Sequence, residues 1–170
     1  MKRTLFYLAI ILQIAFLSLL AFQHSIIDRY GEEITLSTHR DYGGHFGWVD
    51  HQGKLMVNLD IEKIAEDKWL VDPEKLNYND KIFAILQEDE DGFHGVKEAS
   101  NKQLKVKEGE VLLVGSFLYK DEDVYDVDFQ LENIQPDLHQ SIDHRNPFSV
   151  TIKVAPWGQR KVTKLDKIKN

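Results

Sequence analysis

The sequence predicts a mainly β protein: an N-terminal transmembrane helix followed by a compact antiparallel β-sandwich or barrel-like domain with one or two short helices. Three observations carry that prediction. An 18-residue run, Leu5 to Phe22, is broken only by Gln13 and Ser18. Beyond it, short segments alternate apolar and polar residues between turn-forming residues, the signature of half-buried strands. The 170 residues are 42% hydrophobic, with nine Phe, six Tyr and three Trp, which is enough apolar side chain for one core.

Taken in order, Lys2 and Arg3 precede the apolar run, which as a helix would be about 27 Å long at ~1.5 Å per residue, close to the ~30 Å of a bilayer's hydrocarbon. A cleaved signal peptide is the alternative, but cleavage after Ala21 would place Leu19 where a small residue is needed. An uncleaved signal anchor is therefore expected, with the positive N-terminus in the cytoplasm and the rest of the chain outside it. This gives a single-pass cell-membrane protein, divided into an anchor with its helical extension over residues 1–30 and an exported domain over 31–170. His24 to Tyr30 should extend the anchor helix as far as Gly31.

The stretches EEITLST (32–38) and KLMVNLDI (54–61) alternate as strands. Between them, residues 38–53 should form a Gly-rich connection. In DIEKIAEDKWL (60–70), Ile61, Ile64, Ala65 and Trp69 fall at helical spacing and predict a short helix. Asp72 and Pro73 suggest one more helical turn. DKIFAILQ (80–87) and GFHGVKEA (92–99) form a hairpin across Glu88 to Gly92. A second pair spans 108–134 with its turn at Lys120 to Asp123, and the last two strands flank Pro156-Trp157-Gly158. About eight strands result.

The absence of cysteine excludes disulfides, thiolate metal sites and a cysteine nucleophile. Charge is uneven: residues 31–144 hold 11 Lys/Arg against 26 Asp/Glu, whereas 145–170 hold seven against one. So acidic a body argues against nucleic acid and against lying on anionic lipid. The basic last strand reads as one laid across an acidic surface.

Four motifs invite a chemical reading. QEDEDGFHGVKE (87–98) places Asp89, Asp91, Gly92 and Glu98 where a calcium-binding EF loop keeps ligands and glycine. However, its first position is Gln87, its flank reads as a strand, and Glu98 would lie along the returning strand. Asp89 and Asp91 are thus only weak metal candidates in a turn. THRDYGGHFGWVDHQG (38–53) holds His39, His45 and His51 six residues apart, a spacing that no single helix or strand converts into a zinc site. No helix follows its glycines to form a phosphate cradle. If this loop binds a ligand, Asp41, Tyr42, His45, Trp48 and His51 are the residues expected to do it. In SIDHR (141–145), Ser141, Asp143 and His144 are adjacent in sequence, which is not how a triad converges. Trp48, Trp69 and Trp157 are read as core or edge packing. No catalytic residue and no cofactor is expected.

The anchor, the segment KIFAILQEDEDGFHGVKEASNKQLKVKEGEVLLVGSF and the closing VTIKVAPWGQRKVTKLDKI together resemble the GDYXXLXY family of bacterial membrane-anchored proteins. The resemblance runs from Glu33 to Ile168. It departs at the name-giving motif, where Leu59 stands in place of the tyrosine and Gln52, Gly53 and Lys54 occupy the Gly-Asp-Tyr positions; an alternative alignment uses Arg40, Asp41 and Tyr42. The family likeness implies a single anchor, an exported β-rich domain, no known activity and a multi-pass membrane protein as partner.

On these grounds the expected function is that of a membrane-tethered, non-enzymatic accessory or interaction module. A divalent-cation or small-ligand sensor using Asp89, Asp91 and Asp121 to Asp123 is the alternative, and a hydrolase working through Asp41, His45 and His51 is a third.

Overall fold

The structure is a computed structural model, and it describes residues 2–41, 43–70, 76–131, 134, 142–143, 145–155 and 158–168. Within the N-terminal helix α1 (Lys2–Tyr30), the side chains described are those of 6–8, 10–18 and 26–30. Those of Phe6 to Leu8, Ile11, Leu12, Ile14, Phe16 and Leu17 are each 55–68% exposed, so among the described residues nothing covers this part of the helix. The predicted anchor, Leu5 to Phe22, falls partly outside the described side chains. Among the described residues no helix is long and apolar enough to cross a membrane.

The helix runs unbroken through Tyr30, as its sequence suggests, and meets the β domain with its last turn. Ile27 is buried there, 3% exposed. Lys161 Nζ donates to both carboxylate oxygens of Asp28 at 2.9 and 2.8 Å, and Lys153 Nζ donates to the Asp28 carbonyl at 2.8 Å. Gly31 closes the helix by donating its N–H to the Ile27 carbonyl at 2.8 Å. A glycine is needed for close approach, because a Cβ would stand 2.5 Å from that carbonyl oxygen.

The domain is mainly β and barrel-like, its sheet nearly closed. One sheet is β1 (Glu32–Ser37), β9 (Phe148–Val154) and β10 (Arg160–Lys167), with β9 in the middle. The other has the order β4 (Lys63–Ala65), β8 (Val124–Asp128), β7 (Glu110–Asp121), β5 (Lys81–Glu88) and β6 (His94–Ser100). A small hairpin, β2 (Gly47–Val49) with β3 (Leu55–Val57), lies apart from both. All pairings between these strands are antiparallel.

The alternation read in the sequence decides which residues face inward. Ile34 and Leu36 of β1, Val150 and Ile152 of β9, Ile82, Ala84 and Leu86 of β5, and Val111 and Leu113 of β7 share one core. Gly115 holds an inward position on β7 because Val127, Asp128 and Phe129 press against it. An added Cβ would meet them at 2.7, 2.8 and 2.9 Å.

Three local expectations are corrected. The helix predicted over 60–70 is a 3-10 turn (Asp60–Glu62), strand β4 and a second 3-10 turn (Glu66–Lys68). Ile61 and Ile64 both reach the core, Ile61 from the 3-10 turn and Ile64 from a short strand paired in register with β8 (Lys63 opposite Asp126, Ile64 opposite Tyr125), and that pairing outweighs helical spacing. The connection predicted over 38–53 contains strand β2, and the strand predicted over 54–61 shortens to Leu55–Val57. Among the described residues ten strands are found rather than about eight. The turn expected around Asp72 and Pro73 lies outside the described residues, as does Trp157.

Candidate functional site

The end of the barrel opposite the helix carries a cleft. Strand β1 starts at Glu32, next to the helix, and runs six residues to Ser37, a span of about 20 Å at ~3.3 Å per residue. Thr38 extends it: its buried hydroxyl donates to the Phe148 carbonyl at 2.6 Å and accepts from the Phe148 N–H at 3.2 Å. The chain then leaves the sheet through His39, Arg40 and Asp41, which form one wall. The β7–β8 hairpin forms the other, turning at Glu122, whose φ of 50° lies in the left-handed region. The cleft between them has a volume of about 760 Å³.

Seven carboxylates line the cleft (Asp41, Glu62, Asp121, Glu122, Asp123, Asp126 and Asp128) against two permanent cations, Arg40 and Lys63. That balance makes it a negative concavity, suited to cationic or neutral hydrogen-bonding groups and unsuited to phosphates. Its floor is fixed by an ion pair. Lys63 and Asp126 are directly opposed in the β4–β8 register, and Lys63 Nζ donates to the two Asp126 oxygens at 3.0 and 3.3 Å. Asp126 is buried and also holds the Tyr119 hydroxyl, so its negative charge is the main cause that raises the Tyr119 pKa, with burial adding to it.

His39 stands beside this pair. Its Nδ1 lies 3.8 Å from Asp60 Oδ1, is buried, and has no hydrogen-bond partner among the described residues. Burial is the largest influence on the imidazole and holds its pKa below the ordinary 6.5, against the opposing pull of Asp60. Asp60 is in turn hydrogen-bonded by the Ser37 hydroxyl. Arg40 stacks over the Phe46 ring at 5.4 Å, which holds its stem against the domain.

The residues singled out in the sequence are only partly brought together. Asp41 lines the cleft, but its Oδ1 accepts from the His45 N–H at 2.9 Å and thereby shapes the Asp41–His45 turn. Tyr42 lies outside the described residues. His45 is exposed, and Trp48 is 48% exposed on β2. His51 sits at the β2–β3 turn, where Asp50 Oδ1 accepts from Gln52 N and Lys54 N at 2.8 and 2.9 Å. These two bonds, that from Lys54 first, hold the Asp50 carboxyl below its usual range. Neither His45, Trp48 nor His51 lines the cleft.

Among the described residues no group of three or more His, Asp or Glu is placed to hold a metal ion. Asp89 and Asp91 belong to the β5–β6 turn. There Asp89 Oδ1 accepts from Asp91 N at 3.0 Å and Phe93 N at 2.8 Å, Gly92 adopts a φ of 84°, and Glu98 pairs with Ile85 along β6. This geometry is a hairpin turn and leaves Glu98 unable to wrap an ion. In SIDHR, Asp143 accepts from Arg145 N and Asn146 Nδ2, again as a turn; Ser141 and His144 lie outside the described residues. Asp121 to Asp123, by contrast, do line the cleft.

Sequence reading missed His39, Lys63, Tyr119 and Asp126 as a constellation. The one available signal was the opposite charges of Lys63 and Asp126, which become informative only when β4 is known to pair with β8. No protein-family model, no characterised protein and no solved structure matches the chain.

Proposed function

We propose that the chain is a membrane-tethered, non-enzymatic accessory or interaction module, with α1 as a single-pass anchor and residues 31–170 exported to meet a membrane or envelope partner. The observation that carries this reading is the helix itself: its large apolar side chains point into solvent while its last turn is fastened to the β domain. A soluble setting leaves that surface uncovered, and a bilayer covers it. Lys2 and Arg3 before the apolar run favour a cytoplasmic N-terminus. The likeness to the GDYXXLXY family points to a multi-pass membrane protein as the partner. The test is alkaline extraction of membranes carrying the full chain, followed by crosslinking and co-purification. Release of the full chain by alkali would overturn the anchor, and recovery without any multi-pass partner would overturn the proposed association.

A second reading, divalent-cation or small-ligand sensing, is favoured by one observation: Asp121 to Asp123 and Asp41 share one negative cleft. Calorimetry on the full chain in detergent with Ca²⁺, Mn²⁺ and a polyamine tests it. Absence of heat with all three at millimolar concentration removes this reading.

A further inference from the structure

Of the two residues that interrupt the apolar run, Gln13 is the one that a bilayer cannot satisfy. It stands eight residues after Leu5 and nine before Phe22, so about 12 Å of hydrocarbon would lie on either side at ~1.5 Å per residue, further than its side chain reaches. A carboxamide left without a hydrogen-bond partner at that depth is strongly unfavourable. Ser18 differs, because a serine hydroxyl can bond a carbonyl one turn back in its own helix. The Gln13 side chain is exposed, and so are those of Phe6, Phe16 and Leu17, which share its side of α1 at helical spacing. This side has a fixed relation to the β domain. Ile27 and Asp28 follow Gln13 by 14 and 15 residues, about four turns at ~3.6 residues per turn, and α1 is unbroken between them. Ile27 is buried where the helix meets the domain and Asp28 is held by Lys153 and Lys161, so the domain overhangs the side of the helix on which Gln13 lies.

We infer that Gln13 is the point at which the anchor docks on a transmembrane helix of a multi-pass membrane protein, which packs beneath the β domain and meets the carboxamide with a polar side chain of its own at mid-bilayer. This inference deepens the anchor-and-partner reading above and rests on it. The chemistry of the partner follows from depth. The carboxamide carries two N–H donors and a carbonyl acceptor, so a Ser, Thr, Asn, Gln or His on the facing helix completes it where water is absent. Phe6, Phe16 and Leu17 supply the apolar flanks of the contact. The overhang chooses between occupants. A second copy related by a twofold axis would bring its own domain to the same side, and with helix axes about 8–10 Å apart the two domains would contend for one space. A spanning helix that ends in a short loop fits under the domain, and the domain then stands over its partner.

The test is photocrosslinking in native membranes carrying the full chain. A photoreactive phenylalanine derivative replaces Phe16, on the Gln13 side, or Ile11, on the opposite side of the helix. Irradiation should give an adduct several-fold stronger from position 16 than from position 11. Peptide mapping should place that adduct in a spanning segment of a multi-pass protein with a polar residue at mid-membrane. Gln13→Leu should lower the adduct about three- to thirtyfold, the span of interhelical hydrogen-bond strengths expressed as ratios. Gln13→Asn keeps the carboxamide and should retain more of it. Leucine is the more apolar residue, so resistance to alkaline extraction should persist in Gln13→Leu. Release of the unsubstituted chain by alkali overturns the anchor and the contact with it. An anchored chain that gives no adduct, equal adducts from both positions, an adduct only with a second copy, or an adduct unchanged by Gln13→Leu overturns the docking point and leaves the anchor standing.

Discussion

The two ends of the barrel are built on the same strands and have opposite chemistry. At one end β1 begins beside α1, and Asp28 collects Lys153 and Lys161 at a surface that is mixed in charge and basic on β9 and β10. At the other end β1 runs out into His39, Arg40 and Asp41, and faces a hairpin carrying Asp121, Glu122 and Asp123. The first is held by one part-exposed ion pair, a lysine-to-carbonyl hydrogen bond and one buried isoleucine, the second by the buried carboxylate of Asp126 with its bonds from Lys63 and Tyr119. The difference teaches that a net charge of −7 describes neither end. Its parts are distributed unevenly along about 20 Å of strand, so that a partner meets a mixed surface at the helix end and an acidic one at the cleft.

The strongest way to break the comparison is to strike what both ends share. Ile152 lies fully buried at the centre of the three-stranded sheet, and Ile152→Ala should cost about 2–5 kcal/mol. Chemical denaturation should show both ends lost in one transition. Two separate transitions would mean that the ends belong to independent units.

Next in size is Asp126→Ala at the cleft, which removes the acceptor of both Lys63 and Tyr119 from a buried site and should cost about 1–3 kcal/mol. The Tyr119 hydroxyl should then titrate at lower pH, read from tyrosinate absorbance, because the Asp126 charge is the first cause of its upward shift.

A smaller effect separates the ends by pH. Burial holds folded His39 below 6.5, so as pH falls through 6.5 the unfolded chain takes up the proton first and the native state loses stability. The loss stops once pH has passed below the folded value. His39→Gln should flatten this part of the melting temperature against pH between about 7 and 5, and an unchanged slope would remove His39 from the account.

The smallest change in stability is expected at the helix end. Asp28 and Lys161 are 48% and 38% exposed, so Asp28→Ala should shift stability by only about 0–1 kcal/mol. Its effect should be on orientation: the angle between helix and domain, read by residual dipolar couplings in bicelles, should broaden while the melting temperature stays.

The hairpins were legible because their turn chemistry is local. Asp89 and Gly92 shape the β5–β6 turn and Glu122 the β7–β8 turn, each within a few residues, and alternating Ile34 and Leu36 or Ile82, Ala84 and Leu86 mark an inner face wherever the strand lands. The segment 60–70 was misread because Ile61 and Ile64 suit a helix and a 3-10–strand step equally, and what chose between them was β8, some 60 residues away. The loop histidines drew attention through spacing alone. His45 and His51 prove exposed, whereas His39 is drawn inward by the pairing of Thr38 with Phe148.

The sequence by itself determined the N-terminal helix, the β character of the domain and the separation of charge along the chain, since each depends on residues near one another. Only the tertiary structure decided that the basic last strand meets the helix exit, and that Lys63, Asp126, Tyr119 and His39 converge on one cleft at the opposite end. Strand order and register set those neighbours, and antiparallel pairing between distant segments leaves no periodic mark in either strand to reveal its partner.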